Sequence, residues 1–225
     1  MRAFKTEGII LKRRNFGEAD RILTVFTLQK GKISVLAKGV RRITSRRAGN
    51  VELLNRVSMY LHQAKGLPIL TEALSLNTFQ KLKADLTLST YAYHILELVD
   101  KLTAENQENR ILYEYLIEVL KRLEKKPRQI LIRAFEVKIL SNLGFISFQV
   151  SKPGVVIQIH TGSVHSNLAE LLGKLESNNW EEIEKMEIGE KEAMELERIL
   201  RYHVERVIEG SLKSRKFLRK FKVKK

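Results

Sequence analysis

Five cations fall within the thirteen residues from Lys38 to Asn50: Lys38, Arg41, Arg42, Arg46 and Arg47, with no acidic residue among them and a glycine near each end, at 39 and 49. A guanidinium presents a planar fork of donors that matches a phosphate. Two arginine doublets in a glycine-flanked stretch suit an arm that meets successive phosphates of a polyanion. Such contacts run to the backbone, so they are sequence-tolerant and strongly salt-dependent. The blander reading is a charged loop kept soluble. Lys12, Arg13 and Arg14, and Lys213, Arg215, Lys216 and Arg219 near the C-terminus, extend the candidate set. Phe217 and Phe221 interleave with the terminal cations, as core anchors of a last helix or as stacking platforms. Phe16 and Tyr60 are further candidate base stackers.

Reactive chemistry has fewer candidates. The chain has neither a Gly-x-x-x-x-Gly-Lys-Ser/Thr phosphate loop nor a Gly-x-Gly-x-x-Gly dinucleotide fingerprint. His62, His94 and His203 read as structural or surface histidines. His160 and His165 lie closer together, but two imidazoles without thiolates make a weak zinc site. There is no cysteine, so neither a disulfide framework nor a thiolate metal site is expected. Glu18 and Asp20 form the only acidic pair in the basic N-terminal part. Holding Mg²⁺ for phosphodiester chemistry would need more carboxylates. The alternative for Asp20 is a turn cap or a pair with Arg21.

The elements that must position these residues change character along the chain. Residues 4–76 read as five strands, at about 4–13, 20–28, 32–38, 53–63 and 68–76, from apolar–polar alternation such as Val57, Met59 and Leu61 against Ser58, Tyr60 and His62. Asn15-Phe16-Gly17 and Gln29-Lys30-Gly31-Lys32 are tight-turn signals. Five short strands suit a small closed barrel or a small sandwich, and the five-stranded OB-fold is the barrel that binds oligonucleotides. The basic stretch is then a loop leaving the third strand.

After Asn77 the period becomes helical. Phe79, Leu82, Leu86, Ala92, Ile95, Leu96, Val99 and Leu102 predict one helix, with Asn77 or Thr78 as its N-cap. Ile111 to Leu123 predict a second. A third starts near Pro127 and ends at Gly144, with Phe145 folding back on its last turn. Phe148–Val150 and Val155–His160 around Lys152-Pro153-Gly154 predict a β-hairpin. A short helix at 167–174, an acidic connector at 181–185 and a long helix at 190–208 stopped by Gly210 complete the pattern. The domain expectation is 1–77 and 78–225, with 145–189 as a small insertion.

Charge separates the same regions. Of a net +15, residues 1–70 hold 15 Lys and Arg against four acids, residues 210–225 hold eight and none, and the middle is mildly acidic. Two basic ends around an acidic middle favour a localised field for a polyanion, with nucleic acid ahead of an anionic membrane. No run approaches the roughly 20 apolar residues of a membrane span, and the N-terminus lacks a signal-peptide core. A cytoplasmic protein is expected.

The segment from Phe16-Gly17-Glu18-Ala19-Asp20-Arg21-Ile22-Leu23 through Gly31-Lys32-Ile33-Ser34-Val35-Leu36-Ala37-Lys38-Gly39 to Arg42, with Leu212-Lys213-Ser214-Arg215-Lys216-Phe217-Leu218 near the end, resembles the RecO family of bacterial recombination mediators. The resemblance implies an N-terminal OB-fold barrel followed by a helical domain. It also implies binding of single- and double-stranded DNA and strand annealing without a chemical step. The implied partners are RecR, the single-strand-binding protein and, indirectly, RecA, at the nucleoid. Many members carry a four-cysteine zinc module after the third helix. The absence of cysteine here argues against that zinc, and the hairpin at 148–160 stands in its place. Two other readings stay open: a Mg-dependent nucleic-acid enzyme built on Glu18 and Asp20, and an adaptor whose basic ends grip an acidic protein.

Overall fold

A computed structural model describes residues 3–63, 65–151, 154–158 and 166–214. Lys152, Pro153, His160, His165 and the tail from Arg215, including Lys216, Phe217, Arg219 and Phe221, lie outside these described residues. The chain divides into two compact units, Met1–Tyr113 and Glu114–Lys225.

The first unit opens with five strands: β1 Ala3–Phe16, β2 Asp20–Thr27, β3 Gly31–Ala37, β4 Arg56–His62 and β5 Ile69–Asn77. They follow one another in the order β1-β2-β3-β5-β4, and β4 returns to β1 to close a barrel. All pairs are antiparallel except β3 with β5. This connectivity is that of the OB-fold expected from the strand count.

Closure depends on β1 serving two neighbours. Its first half, Ala3–Ile9, pairs with β4, and Gly8–Phe16 pairs with β2, with a register shift between Ile10 and Lys12. A bulge bends a strand and raises its twist, which carries β1 from one side of the barrel to the other. Gly8 sits where the pairings overlap, and a Cβ there would lie 2.6 Å from Val25 Cγ1 and 2.8 Å from the Phe26 carbonyl oxygen. The strands twist closely enough that only glycine fits.

Alternation places Ile10, Leu23, Val25, Ile33, Val35, Val57, Met59 and Leu61 inside. Fully burying each such side chain is worth about 1.5–3 kcal/mol. Val40 and Val51 join this core from the long β3–β4 loop, at 1% and 0% exposure. The loop is therefore nailed to the barrel at both ends.

Two helices complete the first unit. The single helix expected over 79–102 is broken into α1 Gln80–Ala84 and α2 Leu86–Leu102. Asp85 causes the break. Its backbone is extended and its carboxylate accepts from Leu88 N at 2.8 Å, so it caps α2. The start of α1 is at Phe79, which is left-handed and fully buried, while Asn77 Oδ1 accepts from Phe79 N. The C-terminus of α2 is held by Lys32 of β3, whose Nζ donates to the carbonyls of Asp100 and Thr103 at 2.5 and 2.6 Å. A cation there complements the helix dipole and satisfies orphan carbonyls. Burial nevertheless lowers the Lys32 pKa from its ordinary value.

The segment beyond α2 packs on the same turn of the barrel. Asn106 N donates to the Lys32 carbonyl at 2.8 Å. A Cβ on Gly31, whose φ is +61°, would fall 1.8 Å from the Gln107 carbonyl oxygen.

Helix α3, Arg110–Lys125, runs from the first unit into the second. The second unit is arranged around α4, Gln129–Asn142, which is buried almost throughout and contacts α5 Ser166–Ser177, α6 Trp180–Lys185 and α7 Glu190–Val207. Two ions are buried on α4. Glu136 accepts from Arg133 at 2.6 Å, and Lys138 Nζ donates to the carbonyls of Glu176 and Asn178 at 2.6 and 3.0 Å, at the C-terminal end of α5. The end of α4 follows its sequence signal: Gly144 has φ +77° and Phe145 N returns to the Leu140 carbonyl.

Strands β6 Ser147–Ser151 and β7 Gly154–Gln158 form the expected antiparallel hairpin. The stretch read as an acidic connector is instead α6. Asn179 caps it by accepting from Glu181 N and Glu182 N, and Glu182 accepts from Asn179 N in return. Among the described residues no group of three or more His, Cys, Asp or Glu could hold a metal ion, and the chain has no cysteine. No helix among them is long and apolar enough to cross a membrane.

Candidate nucleic-acid interface

The basic stretch leaves β3 at Ala37 and is fastened at once to the β1–β2 turn. Gly39, with φ +65°, donates its N–H to Asp20 Oδ1 at 2.7 Å, and Arg41 N donates to the Ala19 carbonyl at 2.8 Å. Asp20 is thus a loop cap, consistent with one of its sequence readings. Arg21 pairs elsewhere, with Glu52 at 3.3 Å. Glu18 is exposed on the turn itself.

The loop then winds through successive turns rather than forming a free arm. Arg42 N donates to Gly39 O, Ser45 N to Arg42 O at 2.9 Å, and Asn50 N and Val51 N both to Arg47 O. The flexible arm suggested by the two glycines is not what forms, because buried Val40 and Val51 and these backbone bonds hold the intervening chain.

The four arginines have different environments. The Arg47 guanidinium reaches the carbonyls of Leu70 at 2.6 Å, Thr71 at 3.3 Å and Lys38 at 2.9 Å. Arg41 donates to the Gly17 carbonyl at 3.2 Å and is otherwise exposed. Arg42, Arg46 and Lys38 are exposed, with no side-chain hydrogen bond or ion pair among the described residues. Lys38, Arg42, Ser45, Arg46 and Arg47 line an open basin of about 470 Å³ whose one acidic wall residue is Asp20. The Ser45 hydroxyl is buried at its edge without a hydrogen-bond partner among the described residues. Three unpaired cations and a free hydroxyl converging on a basin suit an anion such as a phosphate.

The second basic run divides likewise. Lys12 forms an ion pair with Asp100, and Arg13 pairs with Glu52. Arg14 is exposed and has no side-chain partner among the described residues. It shares a face of β1 with Phe16, which is half exposed at the end of that strand, paired with the loop's anchor Asp20 on β2. Tyr60 is also exposed but stands on β4 opposite Lys5, away from the β1–β2 turn. Lys213 is exposed in the second unit. His62 lies half buried on β4, His94 is fully buried in α2 and His203 is half buried on α7.

Sequence reasoning missed the buried clamp at Lys32 and the strap at Arg47. Both residues look like surface cations in the chain, and only their tertiary partners distinguish them. It also passed over Ile43, between the two doublets, which is 105% exposed.

The family model described as "Recombination protein O N terminal" matches residues 1–79, and "Recombination protein O C terminal" matches 83–147. Among relatives, the DNA repair protein RecO of Acetivibrio thermocellus is 37% identical over 148 residues, covering 64% of this chain and 59% of that protein. That of Alkaliphilus metalliredigens is 32% identical over 165 residues, covering 72% and 65%. That of Desulforamulus reducens is 26% identical over 247 aligned positions, covering 97% and 94%. The matched region spans 59%, 57% and 51% of the length of the relatives from Acetivibrio thermocellus, Pelotomaculum thermopropionicum and Roseiflexus.

Proposed function

The chain belongs to the RecO family, and from that premise we propose that it serves DNA repair and recombination as a nucleic-acid-binding mediator without a chemical step. Residues 1–77 form the binding domain in this reading, and 78–225 form the helical domain. The contact runs to phosphates. Lys38, Arg41, Arg42 and Arg46 provide it from the β3–β4 loop, with Arg14 beside them, while Arg47, Arg13 and Lys12 hold the supporting structure. Lys213, Arg215, Lys216 and Arg219 supply a second set of cations. Annealing follows from such a surface, because neutralising the phosphates of two strands removes their mutual repulsion. Work with RecR on single strands covered by single-strand-binding protein, ahead of RecA, completes the proposed role.

The observation that supports this reading best is the unpaired state of Lys38, Arg42 and Arg46 around one basin on a held loop. Most other cations of the barrel face carboxylates or carbonyls, whereas these three face solvent with their charge uncompensated. The test is an anisotropy titration of a labelled single-stranded oligonucleotide across a salt series. Arg42→Glu/Arg46→Glu should weaken binding at every salt concentration. It should also flatten the salt slope by about 1.4, the loss of two phosphate contacts on a single strand. Unchanged affinity and slope would remove the loop from the binding surface.

A further inference from the structure

We infer that Ile43 is an apolar wedge that enters the base stack of the bound nucleic acid and separates two neighbouring bases. The inference rests on the nucleic-acid reading above and deepens it from backbone contact to base contact.

Ile43 is 105% exposed, which means that no part of the protein covers its side chain. The other exposed large apolar side chains among the described residues reach at most 66%, so each still lies against the surface. Single exposed apolar residues are ordinary on proteins, but this one is also in the wrong place for its type. The hydrogen bond from Ser45 N to Arg42 O at 2.9 Å closes a turn over residues 42–45, with Ile43 at its first central position. Such positions favour proline, glycine or short polar residues. A β-branched apolar side chain there contributes nothing to the core and gains nothing from the turn.

Its surroundings define the ligand. Arg42 and Thr44 on either side both line the basic basin, while Ile43 itself does not. Consecutive Cα atoms lie about 3.8 Å apart, so a phosphate held by Arg42 leaves the adjoining base stack within reach of the next side chain. The loop is fastened through Gly39 to Asp20, through Arg41 to Ala19 and by the Arg47 guanidinium. The tip is therefore presented rather than trailing. Isoleucine is stiff at χ1, so inserting it orders little that was free. Apolar wedges of this size do open base steps, and the flanking contacts offset the cost of unstacking.

Oligonucleotides carrying 2-aminopurine at successive positions, single-stranded and as duplexes, test the wedge, since this base brightens when unstacked. Anisotropy on the same samples reports binding separately. The wild-type chain should bind and brighten the probe at the wedged step. Ile43→Ala should bind within about twofold with the same salt slope, because the phosphate contacts remain, and should lose the brightening. Ile43→Phe should keep it. Wild-type binding without brightening in either form, or brightening unchanged in Ile43→Ala, overturns the wedge and leaves backbone binding standing. Absence of binding by the wild-type chain overturns both.

Discussion

Arg47 and Leu70 are joined by a 2.6 Å hydrogen bond from the guanidinium Nη1 to the backbone carbonyl, at the one seam of the barrel that backbone pairing barely closes. Strands β3 and β5 run parallel there and share a single registered pair, Leu36 with Ile69, supported by Leu36 N donating to the Pro68 carbonyl. The same guanidinium also holds the Lys38 carbonyl, just past the end of β3. Arg47 therefore staples β3 to β5 with a side chain. A residue in the middle of a cationic run is part of the barrel wall.

The loop's arginines should therefore separate by assay. Arg47→Ala should lower stability by about 1–2 kcal/mol, since bonds from a charged donor are strong but this one is partly exposed. Urea unfolding measures it. Arg42→Ala and Arg46→Ala should leave the unfolding midpoint unchanged and reduce oligonucleotide affinity. Arg47→Lys should recover only part of the stability, because an ammonium cannot span three carbonyls as a fork does.

At the opposite end of the barrel, Gly31→Ala should be severely destabilising. The positive φ disfavours any side chain, and the added Cβ would lie 1.8 Å from the Gln107 carbonyl oxygen. Relieving that overlap means displacing the segment that Asn106 N ties to Lys32. A loss of about 2–4 kcal/mol is expected, read as a drop in thermal midpoint. The same change at Gly49, which has open space around it, should be nearly silent.

In the second unit the sole tryptophan gives a local probe. Lys138 lies 5.6 Å from the Trp180 ring centroid and 5.4 Å from that of Tyr115, and donates to two carbonyls. Lys138→Met keeps the aliphatic stem but leaves both carbonyls without their donor. We expect about 2 kcal/mol of destabilisation, detected as earlier unfolding by Trp180 emission.

His203 sets a pH dependence of known sign. Burial, and secondarily the nearby Arg206, lower its pKa from the ordinary 6.5. The unfolded chain then binds the proton more readily than the folded one, so stability rises with pH across the window between the two values. The contribution is complete above about 6.5 and is lost as the pH falls through the lower folded value. Unfolding followed by Trp180 emission between pH 5 and 7.5 should show this loss. His203→Gln should flatten the curve in that window.

Much of this molecule was legible along the chain. The period-2 alternation from Phe4 to Leu76 located five strands to within a few residues, because one face of each must enter the core and the other must not. Gly144 and Phe145 announced the end of α4, since a left-handed cap is cheap only for glycine. The helix break at Asp85 was hidden, as the apolar spacing runs through it unchanged and only the cap's hydrogen bond reveals it. Helix α6 was hidden by its acidic face, although Asn179 and Glu182 carried its capping signal.

Local sequence by itself determined the periodicities, the turns and the concentration of positive charge between Lys38 and Asn50. The tertiary structure alone decided which of the barrel's charges are available. Arg47 is consumed by carbonyls of β5, more than twenty positions away, Lys32 by the end of α2 and Arg13 by Glu52, while Arg42, Arg46 and the apolar tip at Ile43 remain turned outward. A side chain's type sets what it can bond to, but only the folded chain brings a competing partner within the roughly 3 Å at which a hydrogen bond forms.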